Sequence, residues 1–349
     1  MCQESSGEAE DGVAAAAWPE AADGFATAVL AGQVQGRWAA AGLGQAGEYN
    51  GAAMDIEERS FAIVGAGVVG RSLAFALAEG GLRVAAVGSR RVEAARAVAD
   101  GVRAPVATSD LAAAARHADV VVLSVPDDVV AAVCRAIAEG GGFEAGDIVV
   151  HLSGALGADE LAAARGCGAH ALAFHPAQTF ARPDSALFRG IVCVLEGDCE
   201  AVGFGSRLAV RLGAVPAVVR PEAKALYHAA LCIACNYFVA LADAASGLLA
   251  EAGLSEAPLD VLMPLVRGTA DNLERVGLPD ALTGPISRGD VATVQKHLDA
   301  LAVRAPALLP LYRSLGLRTV RLARRKGTVD AAQAHALAGL LAGPGGPGP

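Results

Sequence analysis

The run Phe61-Ala-Ile-Val-Gly65-Ala-Gly67-Val-Val-Gly70 constrains the fold of this 349-residue chain more than any other stretch. Four apolar residues running into three spaced glycines predict a buried strand that turns abruptly into a helix. Gly65 suits the tight turn, Gly67 lets the backbone approach a bound anion, and Gly70 lets helix and strand pack closely. The start of such a helix presents unpaired N–H groups and partial positive charge to a pyrophosphate. The surroundings agree with this reading. An amphipathic Arg71–Glu79 follows, Gly80-Gly81 stops it, and a second apolar run covers Leu82–Val87. Gly65, Ala66, Gly67, Val68, Val69 and Gly70 are therefore the expected dinucleotide cradle.

The end of that second strand decides which dinucleotide is expected. An acidic residue there would accept from a ribose 2′-hydroxyl. This chain instead has Gly88-Ser89-Arg90-Arg91, with no carboxylate to repel a 2′-phosphate and three side chains able to donate to it. A guanidinium fork matches phosphate geometry. The expected cofactor is NADP. Arg90 and Arg91 also have a blander reading, as solvated residues opening the next helix.

Composition narrows the remaining function classes. A formal net charge of −9 argues against nucleic-acid binding. The seven cysteines are odd in number and scattered through apparent core segments, which suits small hydrophobes in a reducing, cytoplasmic setting. Cys232-Ile-Ala-Cys235 has redox or metal spacing, but it sits in a predicted helix with no second pair nearby, so no metal is expected. No uninterrupted apolar run reaches the ~18 residues of a membrane span. The closest, Ala229–Ala250, is interrupted by Asn236 and Asp243. The first residues lack the basic start and apolar block of a signal peptide.

Residues 1–58 are rich in Ala and Gly and are expected to be disordered, although Trp18 and Trp38 could dock; Met54 offers an alternative translation start. From Ser60 the pattern alternates. Strands are expected at Phe61–Val64, Leu82–Val87, Val106–Thr108, Val120–Val125, Ile148–Leu152, His170–His175 and Ile191–Leu195, with helices between them. Fully apolar runs such as Val120–Val122 suit a parallel sheet covered on both faces. After Arg220-Pro221 the strand signals stop. Helices are expected at Glu222–Ala250, Pro258–Val276, Asp290–Leu301, Pro306–Arg325 and Ala331–Leu341. The expected fold is α/β: a doubly wound Rossmann-type parallel sheet over 59–220, an all-helical domain over 221–341, and a loose tail at 342–349.

In open parallel sheets, ligands bind beyond the carboxyl ends of the strands. Ser124-Val125-Pro126 ends one strand there and is expected beside the nicotinamide. His151-Leu-Ser153-Gly154 ends the next, and His175-Pro-Ala-Gln-Thr the one after. Ser153 and Gly154 could hold a substrate carboxylate, or Ser153 could be an ordinary turn or cap. His175 could be catalytic or a satisfied structural histidine. Lys224 and His228 lie four apart and project from one face of a predicted helix, with Asn236 further along it. Buried without partners, such groups cost about 1–3 kcal/mol each. A substrate cleft would partner them, and so would an internal network. Asn272 and Arg288 are further candidates for holding substrate, although an exposed loop arginine is the plainer reading of Arg288. Asp290 is expected to cap a helix.

Lys224-x-x-x-His228 resembles the Lys-x-x-x-Asn signature of the 6-phosphogluconate and β-hydroxyacid dehydrogenase superfamily, which includes ketopantoate reductases. There the lysine and asparagine face the reacting carbon; here His228 replaces the asparagine. A closer resemblance is to bacterial proteins that join a Rossmann-like domain to domain of unknown function 2520. It rests on His151-Leu-Ser-Gly154, Phe174-His-Pro-Ala-Gln-Thr-Phe180, Tyr227-His-Ala-Ala230 with Asn236, Asp271-Asn272, and Leu282-Thr-Gly-Pro-Ile-Ser-Arg-Gly-Asp290 with His297. The His-Pro step is also similar to prephenate dehydrogenases. These resemblances imply an NADP-dependent oxidoreductase acting on the carbonyl or imine of a small carboxylate-bearing substrate. Lys224, His228 and His175 would be catalytic. Ketopantoate is the first candidate and a pyrroline carboxylate the second. The rival expectation is a non-catalytic NADP-binding sensor. Apolar surface on the helical domain would suit a homodimer.

Overall fold

The computed structural model describes residues 56–343. Expectations for Trp18, Trp38, Met54 and residues 344–349 lie outside them. The chain divides into two compact units, with the boundary between Leu231 and Cys232.

The first unit is built on an eight-stranded sheet: β1 (Ser60–Val64), β2 (Arg83–Gly88), β3 (Val106–Thr108), β4 (Val120–Leu123), β5 (Ile148–His151), β6 (His170–Pro176), β7 (Val192–Gly197) and β8 (Val215–Val218). Their order is β3-β2-β1-β4-β5-β6-β7-β8. The order reverses between β1 and β4, and this is the switch point where doubly wound sheets open a crevice for ligand. Helices α1 (Val68–Glu79), α2 (Val92–Val102), α3 (Leu111–Ala115), α4 (Val130–Glu139), α5 (Ala162–Gly166) and α6 (Cys199–Arg211) cover the sheet.

Because side chains alternate across a strand, each apolar run feeds two cores. Phe61, Ile63, Val120, Val122, Ile148, Val150, Leu172 and Phe174 enter one. Val64, Val121, Leu123, Val149 and Ala171 enter the other, against Val130, Cys134 and Ile137 of α4. The same alternation puts His151, His175 and Glu196 on the second face. Order begins before Ser60, since Ile56 packs into the first core.

The sheet is mostly parallel, as expected of a doubly wound Rossmann-type fold, with one exception: β7 runs antiparallel to β6. The link between them contains only a 3-10 turn at Ser185–Phe188, with no crossover helix to bring the chain back to the starting edge. Helix α6 then makes a true crossover, and β8 is parallel to β7. Both α6 and β8 were missing from the sequence expectation. Gly203 and Gly205 weaken the helical pattern of α6, and Pro216 argues against a strand. Gly205 is there because a Cβ would lie 2.8 Å from Leu172 Cδ2. Pro216 is tolerated because β8 is an edge strand.

The helix expected over Glu222–Ala250 is two helices, α7 (Lys224–Ala234) and α8 (Asn236–Glu251), separated at Cys235. No glycine or proline marks that break. Within the 31 residues Pro221–Glu251 an 18-residue window nevertheless reaches a mean hydropathy of 1.6, enough by length and composition for a membrane span. Its longest unbroken apolar run is shorter, because Asn236 and Asp243 interrupt it.

The second unit contains α8, α9 (Pro258–Val276), α10 (Val291–Arg304), α11 (Leu309–Lys326) and α12 (Ala331–Ala342). Its core joins Val294 and Leu298 of α10, Val320 and Ala323 of α11, and Leu337 and Leu341 of α12. Asp290 caps α10 by accepting from Thr293 N, and Asp330 with Gln333 forms a capping box on α12.

Candidate functional site

A cleft of about 760 Å³ lies along the carboxyl edge of the first unit's sheet. Its walls include Gly65, Ala66, Gly67, Ser89, Arg90, Arg91, Ser124, Val125 and Pro126. Each glycine of the first motif has its own geometry. Gly65 has φ +111°, and a Cβ there would run into the backbone carbonyl of Ser124. A Cβ on Gly70 would collide with Gly65 O, so helix and strand touch there. A Cβ on Gly67 would meet nothing within 4 Å. Gly67 borders open space at the start of α1, whose first turn carries no acidic residue. That is where an anion can reach the free N–H groups of Val68, Val69 and Gly70.

Ser89 follows β2, and Arg91 is the N-cap residue of α2 with no side-chain cap of its own. Arg90 and Arg91 are exposed. The residues fit a dinucleotide: a glycine cradle for the pyrophosphate, and donors without a carboxylate where the adenosine ribose would end.

Beyond Pro126 the cleft adjoins a polar cluster. Asp127 accepts from Ser153 Oγ at 2.8 Å. The same Ser153 oxygen accepts from Ala155 N at 3.2 Å and Leu156 N at 3.1 Å, so this hydroxyl organises the turn after β5. His151 is fully buried beneath it. Ser153 N donates to His151 Nδ1 at 3.2 Å, and His151 Nε2 lies 3.0 Å from Gly157 O. The ring therefore carries its proton on Nε2. Burial, with a contribution from the Lys224 charge, lowers its pKa to about 4, so it stays neutral near pH 7.

His175 and Tyr227 meet across 2.7 Å, Nδ1 to hydroxyl, with their rings edge to face. His228 stands edge to face with His175 at 6.3 Å. Gly154 fits between them, because a Cβ there would lie 2.8 Å from His175 Nε2 and from His228 Cδ2. Burial and then the Lys224 charge lower the His175 pKa to about 4, while burial raises that of the Tyr227 hydroxyl. At neutral pH this pair is an uncharged imidazole and a protonated phenol.

Lys224 is only 3% exposed. Its Nζ lies 4.0 Å from Glu196 Oε2, an ion-pair distance, and has no hydrogen-bond partner among the described residues. Glu196 is itself anchored, accepting from Ala158 N at 2.7 Å. Burial lowers the Lys224 pKa to about 8, against the opposing pull of Glu196. A buried ammonium with unused donors, paired at long range, is a strained arrangement that an incoming acceptor would relieve.

The sequence candidates thus separate. Gly65 to Gly70, Ser89 to Arg91 and Ser124 to Pro126 come together around the cleft, and Ser153, Gly154, His175, Lys224 and His228 around the cluster. Asn236 is exposed at the start of α8 rather than on the Lys224 helix. Asn272 accepts from Arg275 Nη2 at 2.8 Å on α9, and Arg288 is exposed in a 3-10 turn. These three belong to the second unit.

Sequence reasoning did not select Asp127, His151, Glu196 or Tyr227. His151 and Tyr227 lay inside quoted motifs and Asp127 followed Pro126, so a local signal existed for them. Glu196 had none. It reaches the site because β7 reverses, pairing Glu196 with Ala173 and Ala173 with His151 in one row across the sheet.

No curated protein matches the chain. Residues 47–176 match the Rossmann-like domain family, and residues 191–319 match the domain of unknown function DUF2520. Among solved structures, a Bacteroides fragilis protein proposed to be an NADP oxidoreductase shares 29% identity at a TM-score of 0.63, covering 76% of this chain and 99% of its own. A Thermotoga maritima protein shares 24% at 0.60, over 76% and 99%. The imine reductase of Myxococcus stipitatus in complex with NADP+ shares 22% at 0.51, over 79% and 98%. At the last two identities the likeness shows the fold. The chain therefore joins a Rossmann-like domain to a DUF2520 domain, as its motifs led one to expect.

Proposed function

We propose that the protein is an NADP(H)-dependent oxidoreductase that reduces the carbonyl or imine of a small carboxylate-bearing substrate in the cytoplasm. The observation that carries this reading is Lys224: a buried ammonium, without a hydrogen-bond partner among the described residues, in a cluster that adjoins a dinucleotide-shaped cleft through Asp127 and Ser153. The B. fragilis relative supports the reaction class.

NADPH bound in the cleft would supply the hydride. Gly67 and the first turn of α1 hold the pyrophosphate, and Ser89, Arg90 and Arg91 hold the 2′-phosphate. Lys224 Nζ donates to the substrate oxygen or nitrogen and carries the proton that atom gains, since positive charge acts most strongly where negative charge develops. Neutral His175, fixed by Tyr227, orients the substrate without competing for that proton. His228 faces His175 across Gly154. Among 2-oxo acids a ketopantoate-like compound is the first candidate, and a cyclic imino acid the second.

Calorimetry with NADPH and NADH, on wild type and Arg90→Ala, tests the cofactor. Expected is NADPH binding that weakens about tenfold or more in the variant, the loss of one charge-assisted phosphate contact. NADPH consumption is then followed over 2-oxo acids and cyclic imines, with Lys224→Met as control. Absence of binding by either nucleotide sinks the proposal. Binding without turnover on any of these compounds points to the sensor instead.

A further inference from the structure

Helix α11 concentrates positive charge in a chain whose formal net charge is −9. It carries Arg313, Arg318, Arg321, Arg324, Arg325 and Lys326 and no acidic residue. Like charges three and four residues apart repel on a helix. The negative end of the helix dipole accounts for Arg324, Arg325 and Lys326 in the last turn, but it does not reach Arg318 or Arg321. Lys326 also has a structural use. Its Nζ donates to Asp280 O at 2.9 Å and to Leu282 O at 2.8 Å, fixing the 277–282 loop against the end of the helix.

Arg318, Arg321 and Arg325 have no such use. Among the described residues none of the three guanidiniums makes an ion pair or a hydrogen bond. They form one stripe, with rises of about 4.5 and 6 Å between successive members along the helix axis. With Leu278, Leu315, Thr319 and Leu322 they line a cavity of about 460 Å³ between the pinned loop and α11. That volume lies in the range of roughly 300–1,000 Å³ typical of small-molecule sites. We propose that this cavity binds an organic di- or triphosphate, its phosphates along the arginine stripe and its apolar body on the leucines.

Three arguments select that ligand class. The first is charge. Three unpaired guanidiniums at one cavity call for an anion, and no carboxylate lines the wall to supply it; Asp280, the acid on the pinned loop, is not among the lining residues. The second is geometry. A single carboxylate is satisfied by one guanidinium fork, whereas a chain of phosphates offers oxygen pairs to successive forks along the stripe. The third is the apolar wall. Leu278 and Leu315 are 62% and 42% exposed, surface that a bare inorganic anion would leave in water and an organic body would cover.

The cavity lies wholly within the second unit and is independent of the reaction chemistry, so its test involves no substrate. ATP is the probe and inorganic tripolyphosphate the comparison without an organic body. Calorimetry on the full chain runs at about 0.15 M salt, where loose pairing with exposed charges is screened. ATP should bind the wild type, and the double variant Arg318→Gln, Arg325→Gln should lose about a hundredfold in affinity, tenfold for each charge-assisted contact removed. Hydrogen exchange with ATP present should show protection at 277–282 and 309–326. Tripolyphosphate should bind at least about tenfold more weakly than ATP, for want of contact with the leucines. No ATP binding overturns the proposal, and so does tripolyphosphate binding as tight as that of ATP. ATP binding that the double variant leaves unchanged, with protection at 65–70 instead, assigns the nucleotide to the glycine cleft and overturns it too. Should the double variant fail to fold, the wild-type exchange data decide alone.

Discussion

The nucleotide cleft and the polar cluster are neighbours along one sheet edge, yet the chain encodes them in different ways. The cleft is built from short contiguous runs, each shaped by its own backbone: Gly65 with φ +111°, Gly67 facing open space, and Ser89-Arg90-Arg91 just beyond β2. The cluster is assembled from Asp127, His151, His175, Glu196, Lys224 and Tyr227, residues of five separate segments whose meanings depend on one another. Lys224 is unusual only because Glu196 stops at 4.0 Å, and His175 is pinned only because Tyr227 reaches its Nδ1. A contiguous site is robust to changes elsewhere. A composite one inherits every error in the packing around it.

The largest effect is expected where the cluster acts. Lys224→Met should lower turnover by about 10²–10⁴-fold, the usual contribution of a positioned proton donor. In the wild type, turnover should decline above pH 8, as the ammonium, with its pKa near 8, gives up its proton. A pH profile flat to pH 10 would remove Lys224 from the proton-donor role.

In the cleft, the strongest change falls on the backbone. Gly65→Ala should cost about 3 kcal/mol or more in stability, since its Cβ meets the carbonyl of Ser124 in a conformation that L-residues avoid. Chemical denaturation measures it, and a neutral result would mean that the strand-to-helix turn is not held as described.

Acid should discriminate between the two regions. His151 and His175 have folded pKa values near 4, below the ordinary 6.5. Between pH 6.5 and 4 the unfolded chain takes up protons that the folded chain refuses. The stability these neutral rings confer is complete above pH 6.5 and is lost as the pH falls through 4. Unfolding free energies from chemical denaturation at pH 7 and pH 4.5 should differ by about a few kcal/mol, and the His151→Gln variant should show a smaller difference.

The smallest stability effect belongs to Gly67→Ala. Its Cβ meets no atom within 4 Å, so stability should change by about 0.5 kcal/mol or less. NADPH affinity should nevertheless fall at least about tenfold, because the methyl occupies the space a phosphate needs. Unchanged affinity would place the pyrophosphate elsewhere.

Local chemistry explains what was legible. The first motif, the missing acid after β2, the buried central strands and the Asp290 cap all follow from residues close together in sequence. Pro258–Val276 was placed to the residue because a proline opens it and Gly277 closes it. Errors arose where a residue's local preference opposed its tertiary use. Gly203 and Gly205 disguised α6, whose glycines serve a close helix–sheet contact, and Pro216 disguised β8, whose edge position spares it a ladder bond. Ser153 was legible as a polar turn residue, but its engagement by Asp127 and two backbone N–H groups was not.

The sequence by itself determined that a dinucleotide-shaped turn exists, that the sheet is covered on both faces, and that a helical region follows, because these depend on periodicity and backbone conformation within a few residues. Only the tertiary structure decided that β7 runs backward. That reversal carries Glu196 into line with Ala173 and His151, within reach of Lys224. No local signal specifies it, since strand direction follows from how a connection packs across the sheet, and the charge state of Lys224 depends on what that packing brings beside it.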